Sequence, residues 1–365
     1  MKTINKPFTI ADALGLSYIG NQADNAGITE NGNYDISSSF KIALGNGNND
    51  AIISNGSGNI NNNHISFGNG DDDFVLTNYG NINGNTISFG SGMYDFVYIG
   101  GIGSITGNSI SFGSGSFGTV QTNGSITNNN IHFNDLSSNI YGDFVAAGDI
   151  SITSSITSNH ITFGDASGDS VYGGSVFNVL ITNNAIRFGN GSNDNVGTYS
   201  GSITGNTIQF GNGNSDYVKS FTNQIANNNI TMGNGNGDFV SASTLSNNHI
   251  TMGNGNGDYI YANGLGGNNI INIGSGSFNT IDVSTNDKIT VGVGGSDAFI
   301  FKQTSVGSIG NVTITGFNGA NDPLFFDAFT NANSLPVYSH SHGNTIITFD
   351  AHDTITLVGV NYTPT

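Results

Sequence analysis

The stretch Ile65-Ser66-Phe67-Gly68-Asn69-Gly70-Asp71-Asp72-Asp73-Phe74-Val75 is one copy of a unit that returns about every 22 residues. Ile87-Ser88-Phe89-Gly90 leads in the same way to Asp95-Phe96-Val97, and Ile208-Gln209-Phe210-Gly211 to Asp216-Tyr217-Val218. Later copies run from Ile230 and Ile250 to Asp238-Phe239-Val240 and Asp258-Tyr259-Ile260. One such unit cannot bury its apolar side alone; it must stack on its neighbours, equivalent residue over equivalent residue. The apolar residues alternate with polar ones, which is strand periodicity. The predicted fold is therefore all-β: a parallel β-helix or β-roll solenoid of about ten coils of about 22 residues.

The glycine after Phe or Met aligns the coils: Gly45, Gly68, Gly90, Gly113, Gly164, Gly189, Gly211, Gly233, Gly253 and Gly274. Between Gly113 and Gly164 lies one degenerate coil, with Asn134 in place of the glycine and extra residues before Asp143 that should form a bulging loop. Three short strands per coil are expected. The first centres on Ile60, Ile82, Ile105, Ile126, Ile156, Ile181, Ile203, Ile225, Leu245 and Leu265. The second is the Ile-x-Phe/Met pair, and the third carries Val75, Val97, Val120, Val145, Val171, Val196, Val218, Val240 and Ile260. At the inter-strand spacing of ~4.8 Å, ten coils would make a rod on the order of 50 Å long. An Asn stands two residues ahead of the second strand's Ile: Asn63, Asn85, Asn108, Asn129, Asn159, Asn184, Asn206, Asn228, Asn248 and Asn268. In register, these can form an inward hydrogen-bonded ladder.

Composition narrows the function. The 55 glycines fall in register with Ile, Val and Phe, so they read as turns and not as disorder. The net charge of −18, with seven cations of which Arg187 is the sole arginine, argues against nucleic acid and anionic membranes. Glu30 is the one glutamate among 25 acids. Asp, with its short arm, is the carboxylate of turns and calcium loops. No stretch is apolar for long enough to span a bilayer. The N-terminus lacks the basic-then-apolar pattern of a cleaved signal peptide.

An acid stands five residues after most aligned glycines: Asp50, Asp73, Asp95, Asp169, Asp194, Asp216, Asp238 and Asp258. Gly118 and Asn279 break the rule, and Asp143 and Asp297 rejoin it. Stacked ~4.8 Å apart, charged neighbours would repel by roughly 3.5 kcal/mol at an effective dielectric of about 20. These ten residues are the expected metal ligands, calcium the expected ion, and capping of each residue's own turn the alternative.

Gly-Asn-Gly-x-x-Asp-x-Val resembles the Gly-Gly-x-Gly-x-Asp-x-apolar nonapeptide of the repeats-in-toxin (RTX) proteins. That resemblance implies a β-roll with calcium in its turns. Here one extra residue separates the second Gly from Asp, and there is one such turn per coil instead of one per nonapeptide. Asp297–Phe301, Val312–Asn318, Asp322–Phe326, Asn344–Asp350 and Asp353–Val360 are together similar to the C-terminal end of type I secretion substrates. This similarity implies export from a Gram-negative bacterium, to the medium or the cell surface. A β-rich cap over the solenoid end is the simpler reading of the same segment.

Between Asp and Val the side chain should face outward, and there stand Phe74, Phe96, Phe144, Tyr217, Phe239 and Tyr259, interrupted by Thr119, Ser170 and Asn195. Such a row reads either as a contact surface or as local stacking. Catalytic signals are sparse. Arg187 stands alone at an outward position, His64, His160 and His249 share one slot in distant coils, and His340 and His342 form a loop pair. A non-enzymatic chain is expected; a polysaccharide-active β-helix enzyme or an ice-binding surface are the alternatives. The outward slot Ser66, Ser88, Ser111, His132, Thr162, Arg187, Gln209, Thr231, Thr251 is too mixed for a regular ice lattice.

The expected organisation is an N-terminal cap (1–44, including Phe8–Leu16), the solenoid (45–284) and a C-terminal β-rich cap with the secretion segment (285–365). The expected function is a secreted structural or cell-surface protein, stabilised by calcium. Its partner would be itself, in a surface layer, matrix, filament or adhesin, with extracellular polysaccharide as a further partner.

Overall fold

The computed structural model describes residues 2–4, 17–19, 25–31, 33–37, 41–115, 117–136, 142–148, 154–174, 178–264, 266–302, 309–327 and 336–363. Leu265, the stretch Phe8–Leu16 and most of the insert ahead of Asp143 lie outside them. Every regular element among these residues is a strand, and no helix is long and apolar enough to cross a membrane. The chain divides into two compact units, Met1–Gly201 and Ser202–Thr365. Both are parallel β-solenoids with three strand rows.

In the first unit, one row runs through Ala51–Ser54, Phe74–Thr77, Phe96–Ile99, Thr119–Thr122, Phe144–Ala147, Ser170–Gly173 and Asn195–Thr198, each strand parallel to the next. Its register places Val75, Val97, Val120, Val145, Val171 and Val196 over one another. A second row of very short strands stacks Ile60, Ile82, Ile105, Ile126, Ile156 and Ile181. The third stacks Ile65, Ile87, Ile110, Ile131, Ile161 and Ile186. These apolar residues are at most 2% exposed. Because alternate side chains point to opposite faces, the intervening polar residues face out.

Parallel stacking also reaches back through the first 44 residues. Lys2–Ile4 pairs with Gly27–Glu30, which pairs with Ala51–Ser54, and Lys41–Ala43 pairs with His64–Ser66. The Gly-Asn-Gly turn first appears just after Lys41–Ala43, at Gly45-Asn46-Gly47, and the sequence ahead of that strand has none.

The centre of the first unit is a column of phenylalanines. Phe67, Phe89, Phe112, Phe133, Phe163 and Phe188 lie nearly face to face, with ring centroids 4.7–5.0 Å apart. Each ring follows the strand spacing, so the column is dictated by the stacking itself. In the second unit Met232 and Met252 occupy this core slot.

The second unit repeats the plan through Tyr217–Ser220, Phe239–Ala242, Tyr259–Ala262, Thr280–Val283, Ala298–Lys302 and Leu324–Asp327. Parallel coiling therefore continues well past residue 285. Among the described residues the end departs from it: Val337–Ser341, Asn344–Thr348 and Thr354–Val358 form an antiparallel meander, whose last strand lies parallel to Asn311–Thr315.

Candidate functional site

The Asp row lies inside the solenoid. Asp50, Asp73, Asp95, Asp143, Asp169 and Asp194 in the first unit are at most 2% exposed, as are Asp216, Asp238, Asp258 and Asp297 in the second. The residue just ahead of each acid has left-handed backbone in most coils, and this turns the carboxyl inward: Asn49, Asp72, Asn193 and Ser215 do so with φ between 59° and 63°. Tyr94 and Phe117, both at 64°, adopt the same conformation against their intrinsic preference.

Each carboxyl then accepts a hydrogen bond from the backbone of the coil before it. The Asp50 N–H donates to Asp73 Oδ1 (2.8 Å) and the Asp73 N–H to Asp95 Oδ1 (3.0 Å). Further along, Gly118, Asp143 and Asp169 donate to Asp143, Asp169 and Asp194 at 2.7–3.0 Å. In the second unit the series runs Asp216 to Asp238, Asp238 to Asp258, Asp258 to Asn279, Asn279 to Asp297 and Asp297 to Asp322. The acids thus bridge coils instead of capping their own turns. Gly118 and Asn279 occupy the slot without an acid, and Asp322 extends the row beyond the reach of the Gly-Asn-Gly signal.

In five of these acids the other oxygen has no such partner. Oδ2 of Asp73, Asp143, Asp169, Asp238 and Asp258 is buried without a hydrogen bond. A Cβ on Gly235 or Gly255 would lie 3.1 or 3.0 Å from Oδ2 of Asp238 or Asp258, so the turn glycine lets the backbone close over this oxygen. Burial disfavours the charged carboxylate. It is the main cause that lifts Asp73 and Asp194 to about 7, Asp95 and Asp143 to about 8, and Asp169 to about 10. Neighbouring acids push in the same direction, and the backbone hydrogen bond partly opposes them. Asp238 and Asp258 rise to about 6. Without a cation, much of the first unit's row is therefore neutralised by protons near pH 7.

One place gathers more than a single acid per coil. Asp135, in the degenerate coil, joins Asp143 and Asp169, and one carboxylate oxygen from each lies within 4.8 Å of the others. Such a buried Asp group can hold a metal ion. Burial raises the Asp135 carboxyl above its ordinary value, and the nearby amides of Asp135, Gly164 and Ala166 and the Asp143 carboxyl only partly oppose this. Neither of its carboxyl oxygens, however, meets a donor in hydrogen-bond geometry. The repeat places Asn134 in the glycine slot and passes over Asp135; what signals it is the loss of the glycine that the coils on either side keep as Gly113 and Gly164.

The inward Asn ladder is present. Each Nδ2 reaches the next coil's Asn Oδ1 and a backbone carbonyl one coil back, as Asn85 does to Asn108 (3.0 Å) and to Ile60 (2.7 Å). One member differs from expectation: the ladder passes through Asn269, not Asn268. Of the adjacent Ile270 and Ile271 it is Ile271 that is buried, which shifts the register by one, and Asn268 takes the left-handed turn position (φ 57°). The ladder continues into Asp287, whose Oδ1 accepts from Asn269.

Arg187, His64, His160 and His249 all face outward from their strands. His340 and His342 lie at the tip of the terminal meander, with Thr345 and Ser341 as their neighbours. One cation was not anticipated: Lys302 bridges to the buried Asp282 at 2.6 Å.

The chain matches no protein-family model, no curated protein and no solved structure.

Proposed function

We propose that this protein is a secreted structural scaffold of the cell surface or extracellular matrix, stabilised by calcium and assembling with copies of itself. The observation that carries the reading is the half-exposed aromatic row. Phe74 stacks on Phe96 and Tyr217 on Phe239, each at 4.8 Å, and Phe144 of the same slot is 39% exposed. A second exposed stack, Tyr94 on Phe117 at 4.9 Å, lies at the neighbouring turn. Rings held rigid by stacking lose little entropy on contact, which suits them to a repeating interface. Calcium is the ion of choice for the row because it accepts several oxygen ligands in a flexible shell, and the carboxyls line the inside of the turn. Export by a type I system rests on the C-terminal resemblance to such substrates.

The aromatic row is tested with the paired variant Phe96→Ser/Phe239→Ser. Both side chains are outside the core, so the variant is expected to fold as the parent does and to sediment as a smaller species. Unchanged assembly in a folded variant contradicts the interface.

A further inference from the structure

We infer that Asp135, Asp143 and Asp169 form one discrete calcium-class divalent-cation site within the first unit. The site is distinct in kind from Asp73, Asp238 and Asp258, each of which presents a single buried oxygen without a partner. Here the degenerate coil brings two acids to one turn, and the next coil adds a third. All three are at least nine-tenths buried, at 4%, 1% and 0% exposure. Asp143 and Asp169 spend Oδ1 on the amides of Gly118 and Asp143 and leave Oδ2 without a partner. Asp135 adds two further oxygens with no hydrogen bond. Clustering three buried carboxyls without a counter-charge is costly. No ion pair reaches them among the described residues, where the one present joins Lys302 to Asp282.

The donor set favours calcium: every donor is a hard oxygen, and calcium takes several of them in a flexible shell at about 2.3–2.6 Å. One oxygen from each carboxyl lies within 4.8 Å of the others, close enough for one ion to bridge all three. Gly164 makes the arrangement possible: a Cβ there would collide with the Asp135 carboxyl and backbone. The inference deepens the calcium reading above and rests on it for the ion; the geometry belongs to the triad.

The test is isothermal titration of the full chain, stripped with EGTA and dialysed, with calcium chloride. Asp135→Asn should lose one calcium per chain, or bind it at least tenfold more weakly. Asp238→Asn, in the second unit, should keep that site. Asp135→Ser, which places there the residue that follows the aligned glycine in two neighbouring coils (Ser91 and Ser114), repeats the measurement in a second background if Asn disturbs folding. Retention of the parental stoichiometry and affinity by folded Asp135 variants overturns the triad. A single site lost with Asp135 supports the triad and removes the ion from the remaining row. No calcium uptake by the parent overturns both.

Discussion

In the presence of a chelator, the protein is expected to resist urea best near pH 4 and to lose stability steadily as the pH rises towards 8. An unfolded Asp ionises near its ordinary 3.8, whereas in the folded chain burial holds Asp95 up at about 8 and Asp73 at about 7. Between these limits the folded state binds more protons than the unfolded one, so raising the pH favours unfolding. Below about pH 4 both states are protonated and the trend stops. At 1.36 kcal/mol per pKa unit, Asp95 alone accounts for at most about 6 kcal/mol across the range. Calcium should flatten the slope, since an ion compensates the charge that protons otherwise remove. Urea midpoints at several pH values, with EGTA and with calcium, check this. Stability that rises with pH in EGTA would show that the row is solvated or already paired.

Replacing Asn108 by Leu should destabilise the first unit by roughly 3–5 kcal/mol, because several buried groups lose partners at once. Asn108 Oδ1 accepts from both the N–H and Nδ2 of Asn85 (2.8 and 3.0 Å). Its own Nδ2 donates to the carbonyls of Ile82 and Thr106 and to Asn129 Oδ1. Leu fills the space but satisfies none of these. Replacing the outward neighbour Ser109 by Ala removes nothing from the ladder and should change stability by less than about 0.5 kcal/mol. Thermal or urea unfolding of the two variants distinguishes the ladder from a set of turn residues chosen for backbone conformation; equal stability would contradict it.

The three apolar rows were legible because their repeat needs only counting: Val75, Val97 and Val120, or Ile65, Ile87 and Ile110, stack as the spacing requires. The ladder was legible too, up to the doublet Ile270-Ile271, where pattern alone cannot tell which Ile turns inward. Burial of the Asp row was not legible. It depends on left-handed residues ahead of most of the acids, and Tyr94, ahead of Asp95, is a poor sequence marker for that conformation. Nor did the turn signature mark the full extent of coiling. Asp297 and Asp322 carry the row onward without Gly-Asn-Gly, and Asp50 accepts from Ala26, where the slot holds no acid. The Asp135 cluster escaped notice because it sits where the repeat fails, and alignment treats a failed repeat as noise.

The most direct test of a calcium-stabilised, self-associating solenoid is a calcium titration of purified protein, from EGTA to millimolar, followed by circular dichroism and light scattering together. The account predicts a gain of β signal or of thermal stability as calcium rises, and then growth into large particles. A fully folded monomer whose size and stability ignore calcium would contradict it.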